Sequence, residues 1–252
     1  MLFRSAAVVG GAGVGLGAWK RNDIKRLFAV NTLFSEKNIV TNFSNMDAMF
    51  FSTKLGVPNV PASELPHEPK AMPEGLDGWI EDRSVTALVV LKDGKIAHED
   101  YFKDTTPEDL RISWSVAKSF LSALMGIVVT DGDITSIDDP VTKYAKDLAG
   151  SAYDGATIRN VLNMAGGVTF GEDYLSFSSE INEMGRVLAL GGSMDKFAAG
   201  WKGRDRDAGT GWQYVSIDTQ VIGMIIRGAT GREIPDLMAE KLLAPLGLEV
   251  DP

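Results

Sequence analysis

From Ser115 onward, apolar residues recur at helical spacing, at Ala117, Phe120, Leu121, Leu124 and Val128, until Asp131-Gly132 supplies a stop. The spacing predicts a largely buried helix with Ser115 at its start. Ile217, Val221, Ile222, Ile225 and Ile226 repeat the pattern and predict a second apolar helix over 217–228. A third is expected over 233–243, with Pro235 tolerated in its first turn. Between them, Thr157 to Met164 reads as a short helix and the stretch from there to Gly211 as irregular. Upstream the period changes. Thr86 to Leu91 and Lys95 to Phe102 read as strands joined through Lys92-Asp93-Gly94, a hairpin signal, with a helix ahead of them from Leu76. Residues 22–76 carry hydrophobic anchors at Leu27, Phe28, Phe34, Met46, Met49, Phe50 and Phe51 without a sustained period, and are then punctuated by Pro58, Pro61, Pro66, Pro69 and Pro73. They are expected to form an arm wrapped on a domain of residues 77–252.

Composition narrows the chemistry. At 252 residues and 44% hydrophobic content, the chain is ample for one sizeable domain. It has no cysteine, which excludes disulfides, thiolate metal sites and cysteine nucleophiles. Its two histidines, His67 and His98, cannot assemble a histidine-rich metal centre in one copy. A Ser-His-Asp triad through His98 lacks a Gly-x-Ser-x-Gly elbow to present its nucleophile. The net charge of −9 has no compensating basic run, which argues against nucleic acid as a partner. Residues 1–21 hold an apolar, glycine-rich run from Ala6 to Trp19, flanked by Arg4 and Lys20-Arg21. It is short for a membrane span and reads as a signal-like or anchor segment, so export or membrane anchoring is expected. The same run contains Gly13-x-Gly15-x-x-Ala18, a loose dinucleotide fingerprint that would make the chain an oxidoreductase; the βαβ context that would support it does not follow.

Ser115 and Lys118 stand three residues apart at a helix start, where neighbouring side chains meet. A free serine is a weak nucleophile and needs an adjacent base, and an amine serves as one only when held neutral. The positive end of the helix dipole disfavours a second positive charge there. The spacing alone is not specific, because Ser193 and Lys196 repeat it. Ser193 follows Gly191-Gly192 and reads as an N-cap. A second feature lies downstream: Gly209-Thr210-Gly211 reads as a turn and Trp212 to Ser216 as extended, which turns Tyr214 and Ser216 to one side and Val215 to the other.

Ser-x-x-Lys followed by Tyr-x-Ser resembles the serine β-lactamase and penicillin-binding-protein superfamily, in its class C-like branch of esterases and amidases related to 6-aminohexanoate-dimer hydrolase. Ile112 to Phe120, Ile137 to Val141, Thr157 to Leu162 and Pro245 to Leu248 read like that group in order, so the similarity spans about residues 77 to 248. The companion motifs Ser-Asp-Asn and Lys-Thr-Gly of class A enzymes are absent, and Tyr214-Val215-Ser216 stands where the first would be. The resemblance implies an α+β, β-lactamase/transpeptidase-like fold, an antiparallel sheet flanked by helices. It also implies a hydrolase of small amides or esters acting through an acyl-enzyme, with no cofactor. By it Ser115, Lys118 and Tyr214 are catalytic, the proton traffic is shared between Lys118 and Tyr214, and Ser216 and Tyr174 bind substrate. A penicillin-binding or sensor-type domain that is acylated without turnover is the alternative. The family's third motif lies on a late strand opposite the serine and supplies half of the oxyanion hole. No such strand is readable before Pro252, so the chain is expected to be the front part of a longer hydrolase. These residues alone are then expected to lose much of the turnover, since one missing oxyanion donor costs about 10²–10³.

Overall fold

Asp93 and Gly94 both take left-handed backbone angles, φ 53° and 74°. Two such residues make the tight turn whose twist matches a hairpin, and Gly94 adopts it without a Cβ penalty. The turn joins β1 (Ala87–Lys92) to β2 (Lys95–Tyr101) in an antiparallel pair with Lys92 opposite Lys95. Between Val90, opposite His98, and Leu91, opposite Ile96, the register slips, which leaves Ala97 as the extra residue of a bulge. The computed structural model describes residues 21–58 and 60–250, and among them β1 and β2 are the only strands. The signal-like run and the Gly13-x-Gly15-x-x-Ala18 fingerprint lie outside the described residues.

Residues ahead of the hairpin run along it and around the helices. Pro66 O accepts from Ile96 N–H, and the Glu68 and Lys70 N–H groups donate to Ile96 O and Ala97 O, each at 2.9 Å. The helix α1 (Arg21–Thr32) lies on a later helix, where Arg26 Nε donates to Ala189 O at 2.9 Å. Two short helices follow, α2 (Ile39–Phe43) and α3 (Met46–Met49), and then α4 (Leu76–Asp82) precedes the hairpin.

The helical core is built on α5 (Val116–Thr130) and α9 (Ile217–Thr230), which pack against each other. Val221, Ile225 and Ile226 of α9 are fully buried, as is Leu124 of α5. α6 (Ile158–Leu162) starts with a capping box in which Thr157 and Asn160 satisfy each other's backbone N–H, and it packs on α9. α10 (Ile234–Leu237), with Pro235 in its first turn, widens into a π-helical stretch, Met238–Leu243, before α11 (Ala244–Leu246). Among the described residues no helix is long and apolar enough to cross a membrane.

Two expectations are corrected. The stretch from Met164 to Gly211 is not irregular throughout: it contains α7 (Glu180–Ala189) and α8 (Met194–Gly200). α7 is amphipathic, with Ile181 and Ala189 buried, Met184 and Val187 half-buried and Glu183 exposed. The helix α5 is not largely buried. Its C-terminal half seats Leu124, Met125 and Val128 in the core, while Val116 is 59% and Phe120 38% exposed. Its apolar residues occupy two faces, and α9 covers one of them.

Candidate active site

Ser115 is the residue on which α5 starts, with φ −66° and ψ −11°. The residue before it is strained: Trp114 has φ 44°, rare for a bulky side chain. Aromatic contacts from the arm hold Trp114 there. Phe34 stacks on it with ring centres 5.5 Å apart and Phe43 meets it edge-on at 5.4 Å. Arg111 ties the same strand of chain to the arm through Val40 O at 2.6 Å and Ser44 Oγ at 2.8 Å.

From this start Ser115 Oγ lies 2.7 Å from the Tyr214 hydroxyl and accepts from Lys118 Nζ at 3.2 Å. Lys118 Nζ also stands 5.4 Å from the centre of the Tyr214 ring. Helical spacing delivers the amine from the next turn, and the segment entering α9 delivers the phenol from 99 residues away. Burial pushes the Tyr214 phenol up, but hydrogen bonds with Ser115 and Lys118 and the Lys118 charge outweigh it, leaving the phenol below the usual tyrosine range. Ser115 is exposed and Lys118 half-buried, so the cluster opens to solvent on the serine side.

Ser216 and Tyr174 sit one step behind. Val215 is buried, and Ser216 already has helical angles at the start of α9, φ −65° and ψ −33°. The Ser216 N–H donates to Glu172 Oε1 at 2.6 Å and its hydroxyl to Oε2 at 3.1 Å. Tyr174, more than half exposed, donates to the same Oε2 at 3.2 Å. Burial and the Glu172 charge push the Tyr174 phenol up. Glu172 therefore organises both residues, and the sequence offered no sign of its pairing with Ser216, 44 residues away with no shared period. A second group escaped the sequence. Asp218, 2% exposed in the first turn of α9, accepts from the buried Tyr153 hydroxyl at 2.7 Å. By contrast Ser193 accepts from Lys196 N–H at 3.2 Å and caps α8, as its sequence context predicts. His67 and His98 line a separate cavity of about 390 Å³ beside β2.

The Beta-lactamase family model matches residues 77–250, a span that holds every side chain of this cluster. The chain belongs to the Beta-lactamase family. Its α+β architecture is the β-lactamase/transpeptidase-like fold. A relative in sequence is the 6-aminohexanoate-dimer hydrolase of Paenarthrobacter ureafaciens, 29% identical over 192 residues that cover 70% of this chain and 46% of the relative. The chain thus spans about half the length of the curated relative it matches. Among solved structures, a Bacillus anthracis protein provisionally described as a 6-aminohexanoate-dimer hydrolase superposes with a TM-score of 0.72 at 16% identity, over 85% of this chain and 61% of that one. A Bacteroides dorei protein provisionally described as a beta-lactamase gives 0.53 at 23% identity, over 68% and 49%.

Proposed function

We propose that this chain carries the acylating centre of a serine hydrolase that cleaves small amides or esters. One observation carries the reading: a phenol and an amine converge on a single alcohol oxygen, at 2.7 and 3.2 Å. Ser115 Oγ attacks the carbonyl carbon and its proton passes into the Tyr214–Lys118 pair. Collapse of the adduct breaks the C–N or C–O bond, and the same pair returns the proton to the leaving amine or alcohol. Water then repeats the cycle on the acyl-enzyme. The two proton carriers are in contact, and the lowered Tyr214 phenol suits it to accept. The Ser115 N–H, which precedes the Val116, Ala117 and Lys118 donors that close the first turn of α5, supplies one oxyanion contact. Glu172 holds Ser216 in place behind Tyr214, and Tyr174 contacts substrate from the exposed side. The relative named for 6-aminohexanoate dimers favours a linear amide as the substrate class.

The test is covalent labelling of the full chain with a fluorophosphonate, read by intact mass. Wild type gains one adduct and Ser115→Ala gains none. Equal labelling of both, or none of either, overturns the reading. Pre-steady-state release of p-nitrophenol from a short-chain ester separates turnover from mere acylation: a burst followed by steady release marks a hydrolase, and a stoichiometric burst alone marks the sensor-type alternative.

A further inference from the structure

α1 carries exposed apolar side chains on the side turned away from the protein. Arg26 marks the inward side: its Nε donates to Ala189 O at 2.9 Å, and its guanidinium stands 4.0 Å from the centre of the Phe51 ring. Ile24 and Phe28 lie two positions before and after Arg26, which on a helix turns each about 160° away from it. Being four apart, they share one face. Ile24 is 57% and Phe28 69% exposed, and Lys25 and Asn31 beside them are exposed as well. A helix that only packs on a core turns such a pair inward. Here a guanidinium makes the inward contact and the apolar pair faces out.

Sequence and charge identify what covers that face. The apolar run Ala6 to Trp19 and the basic pair Lys20-Arg21 lead directly into α1. A run of 14 residues is short for a bilayer span, and stable attachment by weak hydrophobic signals takes a second contact beside the first. Residues 1–26 hold five Lys or Arg and one acid, Asp23, in a chain whose net charge is −9. An anionic bilayer therefore attracts this end and repels the remainder, which turns α1 toward the lipid. A second copy of the chain brings the same cations to the contact and is disfavoured by like-charge repulsion.

We propose that α1 is an interfacial helix, lying in the plane of an anionic bilayer with Ile24 and Phe28 among the acyl chains and Lys25 at the headgroups. Its contact with α7 then holds the catalytic domain at the surface instead of on a free tether. Phe34, two residues after α1, stacks on Trp114, so the membrane-bound helix is joined through the arm to the start of α5.

The test is co-sedimentation of the full chain with vesicles of mixed phosphatidylglycerol and phosphatidylcholine, against vesicles of phosphatidylcholine alone. Wild type is expected to bind the anionic vesicles more tightly, and added salt to weaken that binding. Ile24→Gln combined with Phe28→Gln keeps every charge and the whole amino-terminal run, and is expected to weaken partitioning by about tenfold or more. Lys25→Glu, a second variant, is expected to weaken binding to the anionic vesicles by roughly tenfold and to leave the neutral ones unaffected. Thermal melts matching wild type establish that the variants are folded. Folded variants that bind as wild type does leave the amino-terminal run as the sole anchor and overturn the proposal, as does a wild type that ignores both kinds of vesicle. A wild type that is dimeric in solution and monomeric once Ile24 and Phe28 are replaced also overturns it, because a second copy then covers the stripe.

Discussion

Ser115 owes its position to the residue before it. A bulky side chain at φ 44° costs of order 1–3 kcal/mol and persists only where its surroundings over-determine it. Phe34 and Phe43 supply that constraint from the arm, so loosening the clasp should misplace the nucleophile. Phe43→Ala removes an edge contact to each of Phe34 and Trp114, and is expected to cost about 1–3 kcal/mol and slow labelling roughly tenfold. Denaturant melts and labelling rates check the two halves separately; a labelling rate unchanged in a destabilised variant would detach the clasp from the site. Tyr214→Phe keeps the ring and deletes the hydroxyl beside Ser115 Oγ, and a loss of about 10²–10⁴ in acylation rate is expected. What the sequence revealed at this scale follows from separation along the chain. Ser115 and Lys118 are legible because helical periodicity fixes their distance, and Tyr214 because its motif precedes a second apolar helix. Glu172 and Asp218 are partners of Ser216 and Tyr153 across 44 and 65 residues, and only tertiary packing creates those pairs.

At the scale of elements, the two helices that bring the chemistry together respond oppositely to the same substitution. Gly126 lies within α5, and a Cβ added there meets nothing within 4 Å. Gly126→Ala should therefore stabilise the protein by up to about 1 kcal/mol, the helix propensity difference. Gly228 lies within α9 where the Tyr144 carbonyl comes close, and a Cβ there would overlap Tyr144 O and crowd the backbone after it. Gly228→Ala should destabilise by about 1–3 kcal/mol despite the better propensity, through overpacking against a backbone atom. Urea midpoints of the two variants, moving in opposite directions, check the assignment of close approach to one glycine only. The sequence showed α5, α9 and the hairpin clearly because each has a sustained period or a defined turn. The amphipathic pattern of α7 stands in the sequence as well, but it sits among the glycines and polar residues of a stretch that otherwise reads as irregular, and the burial of α5 is overstated. Periodicity reports that a face is apolar; it does not report whether a neighbour covers it, as Val116 and Phe120 show.

Over the whole molecule, opposing carboxylates set how stability depends on pH. Asp138 held by Arg159, Asp139 by Lys143, Asp205 by Arg206 and Glu240 by Arg232 all lie below their ordinary range through hydrogen bonds to those cations. Each binds its proton more weakly folded than unfolded, so its contribution is present above the unfolded value and disappears as pH falls through the folded one. Asp218 works in the opposite sense. Its folded value of about 7 stands against 3.8 for an ordinary aspartate, because burial disfavours the charge. The folded state therefore holds this proton more tightly, and the stability it contributes is full below the unfolded value and lost as pH rises toward 7. A gap of about 3 units at about 1.4 kcal/mol each sets a ceiling of about 4 kcal/mol on that loss. Thermal melts from acid to neutral pH should show wild type losing ground to Asp218→Asn, which cannot ionise, as pH rises from about 4 toward 7, with the variant melting higher at neutral pH. If the two proteins decline in parallel, the buried carboxyl is not the source.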